Sequence, residues 1–319
     1  MASPILISKP VHSISTWVVL KSIELTLTSF FKSLQNAELY TKPNVILFLQ
    51  SLKVSIVLYI ILNIPYYFIK SMLPGEWLAL CPYSVNLFML TLCNYLGPSS
   101  QGLFLSSLKY NNMEYYKSIL LVSSARHHIQ YDGSWHDKLQ YLFKHSRQFK
   151  LFLRRYTGFY LLNCIIFITT FFPSRISTFV LGLISFLTFL DKLGPFESAV
   201  VVAILNFCDY YYTTLILTTY YGVNNLAQDL VIPYFNEIDF TYSEQQQWLK
   251  TRQGVLFGIS LVYFWLLHQC PILSMTIYLF AIMTMGYIIP SITSCPPSHL
   301  GKLQSWCTGE SVWVVGSLF

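Results

Sequence analysis

The sequence predicts an all-α membrane protein in which apolar spans are combined with re-entrant helical hairpins. Two features of composition and one of pattern lead there. Hydrophobic residues fill 54% of the 319 positions and charged residues only 11%, whereas an ordinary soluble domain is about 25% charged. A soluble chain of this size could not cover its surface with so few ionised groups, so lipid replaces water around much of it. The pattern is a series of apolar runs of helical length, punctuated by prolines that cannot continue a helix.

Three regions follow in order: residues 1–44, a cytosolic or interfacial amphipathic segment; residues 45–290, a helical membrane domain with a basic cytosolic loop at 109–155; and residues 291–319, a largely irregular tail. Within the first region, 13–35 reads as an amphipathic helix. Leu20, Ile23, Leu27, Phe30, Phe31 and Leu34 recur at helical spacing, with Lys21, Glu24, Thr28, Lys32 and Gln35 opposite them. Such a helix either lies in the membrane interface or packs on the protein's own bundle. The N-terminus lacks a charged stretch leading into an apolar core and cleavage site, so no secretory signal peptide is expected.

The first span runs from Val45 to Ile69, interrupted by Gln50, Lys53 and Asn63, and is expected to end at Pro65 and the turn at 73–77. A second apolar stretch, Leu78 to Leu108, is broken by Pro82 and Gly97-Pro98. This pair returns the chain to its starting side, where the 109–155 loop follows. Nine of the chain's basic residues fall in that loop against Glu114, Asp132 and Asp137, so its net charge equals the +6 of the whole chain. The positive-inside bias puts it in the cytosol, where it is either a solvated loop or a contact for anionic headgroups.

Tyr156–Phe172 and Ile176–Leu190 flank Pro173-Ser174-Arg175, and Val255–Leu267 and Ile272–Ile289 flank a turn ending in Pro271. The arms are short for full crossings, so both pairs are read as hairpins that dip in and return, the alternative being two full spans each. Phe196–Tyr221 between them is long enough to cross. The Leu-Gly-Pro runs at 96–98 and 193–195 each precede an apolar helix, as proline just inside a helix start explains. Thr241 and Glu244 form a capping box, so a helix is expected to begin near 241 and carry Trp248 and Arg252 towards the membrane.

The sequence nominates no catalytic, cofactor-binding or metal-ligating residue. The string His127-His128-Ile129-Gln130-Tyr131-Asp132-Gly133 fits the H-H-x-x-x-D-G pattern of condensation-type acyltransferases, where the second histidine, His128, is a general base. Those enzymes are large α/β proteins, and in an all-α chain the string is read as fortuitous. His127, His128, His136 and His145 do not have zinc-ligand spacing, and the seven cysteines form no C-x-x-C pair and no disulfide framework. Tyrosines at 210–212 and 220–221 suit the membrane interface. Asp191, Glu197 and Asp209 stand near helix ends, which leaves Lys53, Asn63, Asn86, Asn94 and Asn206 as the few candidates for a polar path.

Glu244, Trp248, Lys250, Arg252, Gly254, Phe257 and Gly258, running into an apolar hairpin with a Cys270-Pro271 tip, resemble the etoposide-induced-2.4/CysZ-like membrane family. The basic central loop and Leu-Gly-Pro-Phe-Glu at 193–197 are similar to a fungal branch, the outer-spore-wall and lipid-droplet proteins of the Lds and Rrt type. The resemblance covers about 45–290 in architecture and about 190–290 in recognisable residues. It implies a non-enzymatic membrane protein of lipid droplets, endoplasmic reticulum and prospore membrane that supports sporulation through ascospore-wall assembly in the outer, dityrosine layer. Its partners would be membrane lipids, neutral-lipid droplets and homologous membrane proteins, with no nucleic acid and no cofactor. The alternative is a CysZ-like solute or anion channel or permease, and third comes a membrane acyltransferase using His128.

Overall fold

The computed structural model describes residues 16–72, 89–92, 100–125, 147–169, 174–207, 210–297 and 306–307, and among them there is helix and no strand. The expected elements at Trp77, Pro82, Asn86, Asn94, Gly97-Pro98, His127–Gly133, His136, His145, Pro173 and Asp209 lie outside the described residues. The chain divides into two compact units. One comprises Met1–Val57, Cys93–Gly133 and Leu226–Phe319; the other comprises Leu58–Leu92 and Ser134–Asn225.

The first unit is built around α12 (Ser274–Ile292). Against it pack α1 (Thr16–Leu34), α3 (Ser100–Asn111) and α11 (Gln253–Gln269), with α4 (Met113–Ala125) and α9 (Ile232–Ile238) beside α3. The first half of α2 (Lys42–Met72) also meets α12. Ser55 Oγ accepts the backbone N–H of Met275 at 2.7 Å, occupying a donor that the start of α12 would otherwise leave open. Ser51 and Thr276 hydroxyls meet at 3.3 Å, and the Phe48 and Phe280 rings at 4.9 Å. Helix α2 begins with Pro43 in its first turn and continues through Pro65 to Met72, beyond the end expected at that proline.

Among the described residues two segments are long and apolar enough to cross a membrane: Lys42–Ile61 in α2, and Pro271–Ile292, a 3-10 turn at Pro271–Leu273 continued by α12. Helices α11 and α12 are joined at Cys270 and that turn, at the predicted proline tip. Within the 109–155 stretch expected as a loop, α4 and the first part of α5 (Arg147–Thr169) are helical.

The second unit holds α5, α6 (Ser174–Leu193), α7 (Pro195–Phe207) and most of α8 (Tyr210–Leu230). Helices α6 and α7 form a tight hairpin through Gly194 at φ +92°. Glycine takes this left-handed conformation without steric cost, and Pro195 starts the next helix. Leu181 and Leu217 form a buried core with Leu162, Ile184, Phe189 and Tyr221 around them. Of the stretch expected to cross as one helix, Phe196–Tyr221, the described residues fall in α7 and α8, and residues 208–209 lie outside them. At 13 residues, or about 20 Å, α7 is too short to cross alone.

Both units bury small hydroxyl residues and expose large apolar ones. On α1 the inward stripe is Val18, Ser22, Leu25, Thr26, Ser29 and Ser33, whereas Trp17 and Phe31 are 66% and 64% exposed. Of the two roles foreseen for α1, packing on the bundle is seen, through this stripe and not through Leu20, Leu27 and Phe31, which face outward. The hydroxyls satisfy themselves locally: Ser22 donates to Val19 O, Thr26 to Ser22 O and Ser33 to Phe30 O, each at 2.7 Å. The stripe can therefore be buried without orphaned donors and lets backbones approach closely. A Cβ on Gly258 of α11 would overlap Ser22 Oγ and lie 2.9 Å from Val19 O, and one on Gly286 of α12 would lie 2.8 Å from Ser107 Cβ. On α6, Ser177, Leu181 and Ser185 are buried while Ile176, Phe179, Leu183 and Leu187 are exposed.

Candidate functional site

The largest concentration of buried polarity with an ionised group lies where α10 (Tyr242–Thr251) gives way to α11. The predicted capping box is present. Thr241 Oγ1 accepts the Glu244 N–H at 3.5 Å, and the Glu244 carboxylate accepts the Thr241 N–H at 2.8 Å. A helix started there places Trp248 and Arg252 four residues apart on one face. Both go into the first unit's interior: Trp248 is 0% and Arg252 2% exposed.

Two contacts of the Arg252 guanidinium are short, Nε to Thr293 Oγ1 at 2.8 Å and Nη1 to Thr251 Oγ1 at 2.7 Å. Three are long: Nε to Ile292 O at 3.4 Å, and Nη1 to Trp248 O and to Cys307 O at 3.5 Å each. Its carbon sits 4.8 Å from the Trp248 ring centre, a cation–π distance. Among the described residues no carboxylate lies within ion-pair distance of Arg252. What balances the charge is the C-terminal end of α12, whose last carbonyls carry the negative end of the helix dipole. Burial draws the guanidinium down from its ordinary value, and the nearby Tyr234 and Tyr115 hydroxyls oppose that shift.

Beneath it Tyr115 and Tyr234 share a hydrogen bond at 3.0 Å between hydroxyls. Both phenols are raised above 10.0, chiefly by burial, so both are neutral at physiological pH. Tyr234 continues into an aromatic cluster, 5.5 Å from Trp248, 5.8 Å from Phe240 and 6.3 Å from Phe104 between ring centres. Trp306 stacks on Phe240 and donates its indole N–H to Ser294 Oγ at 3.0 Å. The tail residues 306–307 are thus fixed beside Arg252. The Trp248 indole N–H is buried with no acceptor among the described residues, which makes the site rich in donors. On α9, buried Glu237 accepts from Gln101 Nε2 and, at 3.4 Å, from Ser123 Oγ. These donors are neutral.

Among the polar candidates named from the sequence, Asn86, Asn94 and Asp209 lie outside the described residues. Lys53 is exposed on α2, and Glu197 is exposed in the first turn of α7. Asn63, Asn206 and Asp191 fall in α2, α7 and α6. Among the described residues no group of three His, Cys, Asp or Glu side chains could hold a metal. Sequence reasoning missed Tyr115, Tyr234, Glu237, Thr293 and Cys307. The signal available was Arg252 itself, one of few charges beside a long apolar helix. Comparison with family models, with curated proteins and with solved structures gives no match.

Proposed function

We propose that this chain is a non-enzymatic integral membrane protein, inserted by apolar spans and re-entrant hairpins, that supports assembly of the outer, dityrosine layer of the ascospore wall. On this reading it resides in lipid droplets, endoplasmic reticulum and prospore membrane, as a member of the fungal Lds/Rrt-type branch of the etoposide-induced-2.4/CysZ-like family. The observation that carries the membrane part is the exposure of large apolar side chains along helix faces of both units, Trp17, Phe31, Phe179 and Phe196 among them, although each unit also has a buried apolar core. In water those faces would stay unburied; in lipid, apolar tails solvate the exposed rings, and the small residues Ser22 and Ser33 on the packed side of α1 suit close helix contacts. The cellular part is supported by the resemblance in residues 190–290.

The α11–α12 pair suits a droplet. The two arms are about 26 and 29 Å long at helical rise, and their proline tip turns the chain back. A phospholipid monolayer over neutral lipid has no far aqueous side, so every polar end must return to the cytosol. The test is a tagged copy imaged in sporulating and vegetative cells with neutral-lipid staining. Label on droplets and the prospore membrane is the expected result. Label confined to the plasma membrane, without droplets, would overturn it.

A CysZ-like anion channel is the second reading, favoured by the buried positive charge of Arg252 with its neighbouring unpartnered Trp248 donor. Purified chain in vesicles would then pass anions, and Arg252→Gln would abolish the flux while leaving the chain in the membrane. No flux from the unaltered chain removes this reading.

A further inference from the structure

We infer that the outward face of α4, together with the end of α3, is a headgroup-binding surface that seats the first unit against anionic phospholipid. The inference rests on the membrane reading above and adds to it a specific contact and a lipid charge class. At 13 residues, about 20 Å, α4 falls well short of the roughly 30 Å hydrocarbon layer. Its inner face, Tyr115, Ile119 and Val122, is fully buried. Its outer face is apolar in a way water does not favour: Met113, Leu120 and Leu121 are 47%, 39% and 64% exposed, with exposed Lys117 among them. Glu114, also exposed, stands in the first turn, where a carboxylate complements the positive end of the helix itself.

The level at which this face starts is set by its neighbours. Asn111 Nδ2 donates to Tyr287 O at 3.1 Å, and the Tyr110 and Tyr287 rings meet edge to face at 6.4 Å. Tyr287 lies five residues before the end of α12, about 7 Å along its axis. The α3–α4 junction is therefore level with the last turns of a segment long and apolar enough to span, where the headgroup layer would begin. Exposed Tyr110 and the Lys109–Glu38 ion pair at 3.4 Å stand at the same junction, the aromatic and basic residues that interfaces select. A short helix with leucines around a lysine at that level matches an acidic lipid surface in both its apolar and its charged parts.

The experiment uses the full chain in nanodiscs, with a fluorescent amino acid replacing Leu121 or, as a mid-span reference, Leu49 of α2. Quenching is read with bromine placed near the headgroup or deep in the acyl chains, on phosphatidylcholine or phosphatidylserine. At 121 we expect quenching by the shallow bromines and a preference for phosphatidylserine. Lys117→Gln should lower that preference up to about fivefold, the factor one basic side chain contributes near an acidic surface, without changing the deep quenching at 49. If 49 is quenched but 121 is not, or if 121 shows no dependence on lipid charge or on Lys117, the headgroup surface is wrong and the membrane reading stands. If 49 itself escapes deep quenching, the membrane reading fails and takes this inference with it.

Discussion

Arg252 concentrates more of the first unit's polar chemistry than any other residue. Removing an ion from water costs several kcal/mol, and here that cost is met by two short hydrogen bonds, a dipole end and an indole face instead of a counter-ion. Arg252→Ala should therefore lower stability by about 2–4 kcal/mol, seen as a lower thermal midpoint in detergent. Arg252→Lys should recover less than half of the loss, because one ammonium cannot reach Thr293 and Thr251 in the fork geometry of a guanidinium. The tyrosine pair gives a pH prediction. Folded Tyr115 and Tyr234 hold their protons above 10.0, whereas the unfolded chain loses them near that pH. Their contribution is thus intact below about pH 10 and is lost as pH rises beyond it. In an alkaline titration of the thermal midpoint, Tyr115→Phe with Tyr234→Phe should make the decline shallower. At this scale the sequence showed little, because three of the five acceptors of Arg252 come from residues 292, 293 and 307, and no local spacing announces a partner 40 or more positions away.

The helices were more legible than their faces. The α10 start was readable because a capping box is complete within four residues, and the α11–α12 turn because proline has a local effect. The buried side of α1 was not, since hydropathy alone favours Leu20, Leu27 and Phe31, and only the bare backbone at Gly258 explains why Ser22 turns inward instead. That contact is testable. Gly258→Ala should separate α1 from α11 and cost about 1–3 kcal/mol, the usual penalty of overpacking. Adding Ser22→Ala should give back only part, because the new methyl would still press on Val19 O at 2.9 Å; thermal unfolding of the single and double variants measures both.

For the whole molecule, composition was the most informative feature: few charges predicted lipid, and both units expose large apolar side chains of the kind that lipid would solvate. Alkaline carbonate extraction of membranes should leave the chain in the pellet. Phe179→Asp, which puts a charge on the exposed stripe of α6, should move a measurable fraction to the supernatant or into degradation, whereas Ser185→Ala on the buried side should not. Composition could not foresee that residues 306–307 close over Arg252, and that closure also sets an order in time. Cys307 follows Arg252 by 55 positions, roughly 3–11 s of synthesis at ordinary elongation rates. Until residues 292–293 are made the guanidinium lacks the end of α12, and until residue 307 is made it lacks the tail. On the membrane reading, a nascent chain would keep Arg252 hydrated at the surface while α11 and α12 are made, and complete its site only with the tail.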